Sequence, residues 1–509
     1  MPDDLVSIKL PPGFFRNGTE YEAQGRWFDG NLVRWENNRL KPWCGWLQVL
    51  ADGVTLTGVP RGGLAWLSNN AGRFVTFGTA SKLYVSSDGI NYSDSTPVGF
   101  TTGNTDGSQA NGYGAGPYGG GPYGQHAASS SLVLDADIWN FDLYGEDLLG
   151  VFTADGHIYE WQPGVGGLAT ILTNAPTGNR SVLVTDQEYI FALGAGSVGR
   201  KVQWNNGPGG PTDWTISPTT LGGSRVLKTK GTILTGRVWN GVPIIFTNAD
   251  VHAMPYLGPP FVYDNYIISE SAGLIGPNAV AGNSERLVWM GYGHFWQYNG
   301  VVQDLPCEVN DFLWGSASPG INLIQRAKIY CTHNQYYKEF TWFYPDASSI
   351  ENNRYITWNY DLNIWYFGQL TRTTWLDRRP FDYPLATDAS GNIWEHDVAG
   401  NFLANGAPRS GIFAQSGPAE IGKGDRVAYC NLMLPDVFNG SNVQLKMVSK
   451  MGPQDTGVTS QTYGPFNPTS LYVPTRFAGR QVATRIEQIN DGDWSMGNTR
   501  LKVAAWSKR

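Results

Sequence analysis

At 509 residues the chain is too long for one small core, and length alone allows two to four domains. Hydrophobic residues at 41% can fill an interior, but charged residues are only 16%, so the polar surface must come largely from Asn, Gln, Ser, Thr and Gly; such a surface suits assembled subunits, where neutral groups cost less to desolvate, and also suits secreted proteins. A net charge of −7 excludes a chain-wide basic groove for tight nucleic-acid binding, yet permits a wall past which DNA slides without its phosphates sticking.

The opening MPDDLVSIKLPPGFF has no basic start followed by an apolar run, so no secretory signal is expected. No stretch reaches 18 consecutive apolar residues, so no membrane span is expected either. Residues 1–60 read as a hairpin segment that packs with the C-terminal platform, 406–509. Within it, RWFDGNLVRWENNRLKPWCGW places Asp29-Gly30 and Asn37-Asn38 as turns between aromatic strand pieces.

From about residue 61 a loose repeat of strand pairs begins. Asx-Gly or Ser-Gly turns recur at Asp88-Gly89, Asp155-Gly156, Asn299-Gly300 and Ser390-Gly391, each between alternating apolar positions. Ile158 and Glu160 are expected on one face of their strand, Tyr159 and Trp161 on the other. Twenty Trp, 25 Tyr and 22 Phe supply strand formers, and 64 Gly and 30 Pro supply the turns. About 340 residues at about 45–50 per four-stranded unit make roughly seven units. The reading is all-β: an irregular β-propeller of about six to eight blades over 61–405, closed so that few sheet edges stay open. A string of β-sandwiches is the rival architecture. Helical patterns are scarce. CEVNDFLWG near 307–315 suits one or two turns, and DIWNFDLYGEDLLG near 137–150 reads equally as helix or as strand–turn–strand.

Residues 101–131 form an insertion, TTGNTDGSQANGYGAGPYGGGPYGQHAASSS. Gly frees the backbone, Pro blocks regular pairing, and Tyr113, Tyr118 and Tyr123 supply large contact faces. The segment reads either as a flexible surface loop or as a docking loop anchored by those tyrosines. After residue 405 the texture changes, and 406–509 reads as a β-sandwich or platform domain. Its last part is expected to be two strands around an Asp491-Gly492 turn, with Trp494 in the core and Arg480 and Arg485 facing a neighbour or solvent.

Chemistry is hard to find. GAGSVG at 194–199 matches the dinucleotide pattern formally, but RKVQWNNGPGGPTDW follows and cannot supply the helix, so a glycine loop between strands is expected. GKGD at 422–425 lacks the rest of a phosphate-binding loop. The six histidines form no HxH or HExxH, and His157 and His396 sit beside hairpin turns. Cys44, Cys307, Cys331 and Cys430 form no CxxC and read as small buried hydrophobes, with disulfides left open. Asp155, Glu160, Asp388, Glu395 and Asp397 are the carboxylates a glycan-cleaving site would use, though Asp near turns is common for backbone reasons. No catalytic, cofactor-binding or metal-ligating residue is assigned, and the chain is not expected to be an enzyme.

Several stretches, in order, resemble the tail nozzle (tail tubular) proteins of short-tailed bacteriophages. They are NLVRWENNRLKPWCGW, GYGAGPYGGGPYG, GEDLLGVFTADGHIYEW, IFTNADVHAMPYLG, AGLIGPNAV, WMGYGHFWQYNGVVQDLPCEVNDFLW, the run from Arg354 to Gly400, and GRQVATRIEQINDGDWSMGNTRLKV. The middle of the C-terminal part departs from this likeness. The resemblance implies a structural virion protein with a propeller plus a platform, and a homohexameric ring. It also implies a tail adaptor above, a fibre or needle protein below, and double-stranded DNA passing through during genome retention and ejection. It would be made in the bacterial host cytoplasm and reside in the phage tail. The alternative from the residues alone is a carbohydrate-binding or glycan-cleaving β-propeller that recognises a host receptor.

Overall fold

The computed structural model describes residues 4–51, 54–111, 128–315, 319–421, 426–455, 458–467 and 471–507. Among the described residues, seven four-stranded antiparallel sheets follow one another along the chain as blades of a β-propeller. Blade 1 is Pro60–Leu67, Arg73–Thr79, Leu83–Ser86 and Ser93–Asp94. Blade 2 is Trp139–Tyr144, Asp147–Phe152, Ile158–Trp161 and Thr170–Ile171. Blade 3 is Ser181–Val184, Ile190–Leu193, Lys201–Trp204 and Gly223–Val226, and GAGSVG is the glycine turn between its second and third strands. Blade 4 is Ile233–Trp239, Val242–Thr247, Val251–Ala253 and Tyr266–Ser269, with a small extra hairpin, Tyr256–Gly258 and Val262–Tyr263. Blade 5 is Val280–Gly282, Leu287–Met290, Phe295–Tyr298 and Val302–Asp304. Blade 6 is Tyr330–Asn334, Glu339–Tyr344, Arg354–Asn359 and Ile364–Gln369. One helical turn, Asn310–Trp314, falls where a short helix was expected, and residues 139–152 resolve as strand–turn–strand.

Blade 7 takes three strands from Thr374–Leu376, Leu385–Thr387 and Ile393–His396, and its outer strand from Trp46–Gln48. The segment 1–60 is therefore divided, because these three residues belong to the propeller. Such a strand closes the ring by hydrogen bonding the two ends of the propeller together. The inner strands of blades 7 and 1 then lie side by side.

Tryptophans lock blade to blade. Trp139 of blade 2 is fully buried, donates its indole N–H to the carbonyl of Thr79 in blade 1 at 2.8 Å, and stacks on Phe100 and Phe141. Trp342 of blade 6 donates to the carbonyl of Ala279 beside blade 5 at 3.0 Å. The polar end of each ring is thus satisfied while its apolar body fills the wedge between sheets. The half-buried alternation expected for the third strand of blade 2 fails for the same reason. Ile158, Tyr159 and Trp161 are all buried, since a middle blade strand has a neighbouring blade on each face.

The second unit joins both chain ends in three sheets. Asp4–Ser7 pairs with Arg500–Ser507, then Val427–Leu434 and Val473–Gly479. Trp27–Asn31 pairs with Phe413–Ser416, which leads to Gln481–Gln488, Val443–Lys450 and Thr459–Tyr463. Val33–Glu36 and Arg39–Pro42 form a hairpin that meets Ser495–Met496 and Val437–Phe438. Asn37 and Asn38, at φ 49° and 62°, make its two-residue turn as expected.

Two turn expectations are corrected. Asp29-Gly30 lies inside a strand, where glycine is needed for room: a Cβ at Gly30 would sit 2.3 Å from Cζ of Phe14 and 2.9 Å from the carbonyl of Phe413. No hairpin forms around Asp491-Gly492. Gln481–Gln488 and Arg500–Ser507 belong to different sheets, and the connection between them is pinned by Trp494, which is fully buried and donates to Gln488 at 2.9 Å.

The two units share one apolar core, in which Phe14, Trp35 and Trp43 meet Trp342, Trp365 and Trp375 of the propeller and Met447, Phe477 and Trp494 of the platform. Arg34 is sealed within this seam. Its guanidinium lies 2.9 Å from Asp397 and 3.6 Å from Glu339, and 3.6 Å from the centre of the Tyr337 ring. Asn334 completes the cluster by donating to the second oxygen of Asp397 at 3.0 Å. Such a group pins geometry rather than adding stability, because removing water from three charges offsets most of their attraction.

Candidate functional site

The central channel is where side chains of all seven blades converge. Inner strands must pass close together at a propeller axis, and the glycines there make that approach possible. Gly62 packs so tightly on blade 2 that a Cβ would fall 2.5 Å from the carbonyl of Trp139. Toward the ends of the inner strands a cavity of about 640 Å³ opens, lined among others by Asp142, Asp186, Arg237, His333, Asp377 and Arg379. Both signs of charge are present.

Four of these groups are held by neighbouring protein groups, some of them from the adjacent blade. Asp142 accepts the backbone N–H of Val184 at 2.7 Å and of Leu143 at 2.9 Å, and burial pushes its carboxyl up to about 6 against those donors. Arg237 donates to the carbonyl of Gly236 at 2.8 Å and to Thr235 at 3.1 Å, and burial lowers its pKa. His333 stacks on Phe340 with its Nε2 3.2 Å from the Tyr360 hydroxyl; burial depresses it to about 4, so the ring is neutral at pH 7. Asp377 is raised by burial and accepts the N–H groups of Gln335 and Arg378. Sequence patterns singled out none of these four. The only signal was their place on the first strand of a blade, or in the case of Asp377 one residue past it, visible once blades are aligned.

The opposite mouth, where inner strands begin, is different. Its cavity of about 750 Å³ is lined by Asp135, Asp137, Asp155, Arg180, Tyr292 and Arg326, among others. The base of the 101–131 insertion crosses here from blade 1 to the approach to blade 6. Gly107 and Gln325 exchange two hydrogen bonds of 2.8 Å. The fully buried Lys328 ammonium pairs with Asp106 at 2.5 Å and Glu351 at 3.0 Å, and Arg61 pairs with the same Glu351. Arg326 and Asp135 make a further pair at 3.0 Å, which offsets the rise that burial imposes on Asp135. The stem strands Ser108–Asn111 and Ala128–Leu134 are thus stapled across the mouth. Tyr113, Tyr118 and Tyr123 lie outside the described residues.

The carboxylates considered for glycan cleavage are dispersed over blades 2 and 7. Asp155 accepts from the Tyr159 hydroxyl at 2.6 Å and the N–H of His157 at 3.1 Å. Asp388 caps its turn through Ser390 and Asn392 and takes the Trp394 indole N–H at 2.8 Å. Asp397 is the partner of Arg34. Glu160 and Glu395 are half-buried and raised by burial. Among the described residues no group of three or more His, Cys, Asp or Glu is placed to hold a metal ion. The four cysteines are free thiols. No helix among the described residues is long and apolar enough to cross a membrane.

Arg485 lies over the Phe413 ring at 3.6 Å, and its Nε donates to Glu487 on the same strand. Arg480 is half-buried, and its backbone joins Lys450 and Ile421 at 3.0 and 3.1 Å.

No family model matches the chain, and no curated protein does. Among solved structures, a catalytically inactive virginiamycin B lyase from Staphylococcus aureus with quinupristin is similar at 9% identity and a TM-score of 0.41, covering 68% of this chain and 98% of that one. BamB from Moraxella catarrhalis is similar at 8% identity and a TM-score of 0.34, covering 77% and 98%.

Proposed function

We propose that the chain is a structural subunit of a short bacteriophage tail: a nozzle protein that assembles as a ring and conducts double-stranded DNA without reading its sequence. The ordered likeness of its hairpins to that family supports the reading. The observation that carries it is an apolar rim on blade 4. On the extra hairpin and the neighbouring edge strand, Tyr256, Leu257, Phe261, Tyr266 and Ile267 are 39%, 58%, 68%, 53% and 39% exposed. Exposed rings and an open strand edge on one side of a weakly charged subunit favour burial against a second copy. The ring is proposed to be a hexamer, with an adaptor above and a fibre or needle below. Its residence is the virion, and it performs no catalysis.

Sizing chromatography with light scattering, followed by negative-stain imaging, tests this. The expected result is a ring of several copies, reduced to monomers by Leu257→Asp with Phe261→Asp. A monomer that releases reducing sugar from a host polysaccharide would replace the reading with the glycan-cleaving one. Excision of residues 112–127 is expected to leave the Asp106–Lys328 staple and the propeller intact while impairing attachment to a tail partner. Normal tail assembly by that variant would assign the insertion no docking role.

A further inference from the structure

We propose that the seam between blades 6 and 7 and the platform binds a small oxyanion of phosphate size, held by the guanidinium groups of Arg372 and Arg409. A cavity of about 580 Å³ opens there, lined by Asn353, Arg354, Gln369, Arg372 and Arg409, among others. Arg354 is already neutralised, with its Nε 2.7 Å from Asp346. Arg409 has only the long contact with Asp491, at 3.9 Å, and Arg372 makes no ion pair among the described residues.

Arg372 is 5% exposed. It donates from Nε to His396 Nε2 at 2.7 Å and from Nη1 to the Thr371 carbonyl at 2.6 Å. Both acceptors are neutral, because burial and the surrounding arginines hold the His396 imidazole far below its ordinary value. Arg409 is 9% exposed and donates to the carbonyls of Phe402 at 2.6 Å and Cys44 at 3.2 Å; its nearest carboxylate is Asp491 at 3.9 Å. In each arginine Nη2 is buried and donates to no acceptor among the described residues. Both guanidinium carbons lie near the Trp46 ring, at 5.3 and 5.7 Å from its centre, and both side chains line the same cavity.

An uncompensated buried charge is costly, and guanidinium does not escape the cost by deprotonating. Burial lowers the two groups only to about 9 and about 10, so both stay charged at neutral pH. Asp346 pairs with Arg354 and Asp491 lies 3.9 Å from Arg409, so the seam keeps an excess positive charge, centred on Arg372, that an anion balances. Two planar N–H forks suit the tetrahedral oxygens of phosphate. This inference rests on the chain's own arginines and does not depend on ring assembly.

Calorimetric titration of the full chain with inorganic phosphate, in chloride buffer at constant ionic strength, tests the site. The expected result is saturable binding of one phosphate per chain. The melting temperature should rise with phosphate as mass action requires, while acetate produces no comparable shift. Arg372→Gln and Arg409→Gln should each weaken phosphate binding about tenfold or more, and Arg73→Gln, exposed at the start of the second strand of blade 1, should leave it unchanged. Circular dichroism establishes that the variants fold, and Arg409→Lys, which keeps the charge and loses the fork, is a milder change with the same expected direction. Absence of saturable phosphate binding by the unsubstituted protein would overturn the proposal. So would equal stabilisation by acetate, or unchanged binding in both glutamine variants.

Discussion

Two strands of similar length show how differently the propeller and the platform are built. In blade 6, Glu339–Tyr344 is buried at all six positions. In the platform, Val443–Lys450 alternates buried and half-buried along its whole length. A blade strand is covered on both faces by neighbouring blades, whereas a platform strand turns one face to the core and one outward. The partners differ too. Except for the closing strand of blade 7 and the hairpin inserted before the last strand of blade 4, each blade is made of strands that follow one another, while platform sheets join strands from opposite ends of the chain. The propeller therefore rests mainly on local pairings, and the platform also needs pairings between the two ends of the chain, which have a high sequence separation.

The largest test of this contrast is removal of residues 1–48. It deletes the outer strand of blade 7, one strand from each of two platform sheets and two strands from the third. The expected outcome is loss of cooperative thermal unfolding by circular dichroism. A surviving sharp transition would make the propeller independent of the platform. Next is Arg34→Met, which strands Asp397 and Glu339 in the seam and should cost about 3–5 kcal/mol in urea denaturation.

Two pH experiments sharpen the comparison because their signs are opposite. The carboxyl of Glu339, in the seam, is raised from 4.5 to about 7, chiefly by burial, with Arg34 pulling the other way. The folded protein keeps a proton there that the unfolded chain releases, so this contribution to stability falls as pH rises from about 4.5 to about 7. His333, in the channel, is lowered from 6.5 to about 4, so the unfolded chain binds a proton that the folded one refuses, and its contribution rises with pH across that window. Each spans about 3 kcal/mol at most. Urea midpoints from pH 4 to 8 should show Glu339→Gln and His333→Gln removing slopes of opposite sign. The smallest effect is Asp88→Ala in blade 1, which removes the carboxylate that accepts the N–H groups of Ile90 and Asn91. It should cost about 1–2 kcal/mol, with the wild-type advantage fading as pH falls toward about 2, where burial opposes but hydrogen bonds hold that carboxyl.

Much of the propeller was legible in the chain. The turns at Asp155-Gly156, Asn299-Gly300 and Ser390-Gly391 each separate paired strands. At Asp88-Gly89 pairing resumes only at Ser93, because Asp88 caps a wider turn. The seam was not legible. Arg372 and Arg409 stand in unremarkable loop contexts, and their meaning depends on Trp46 and His396 arriving from elsewhere. Likewise the residue types around Asp29-Gly30 suggest a turn, but the Phe14 ring makes that glycine a packing requirement.

By itself the sequence determined the β character, the glycine turns and the approximate number of blades, because those follow from alternation and turn chemistry over a few neighbouring residues. Tertiary structure alone decided that Trp46–Gln48 closes blade 7, that the insertion stem is stapled across one mouth, and that three arginines meet in the seam. These features join residues tens to hundreds of positions apart. Their energies come from burial and charge pairing that no local pattern encodes.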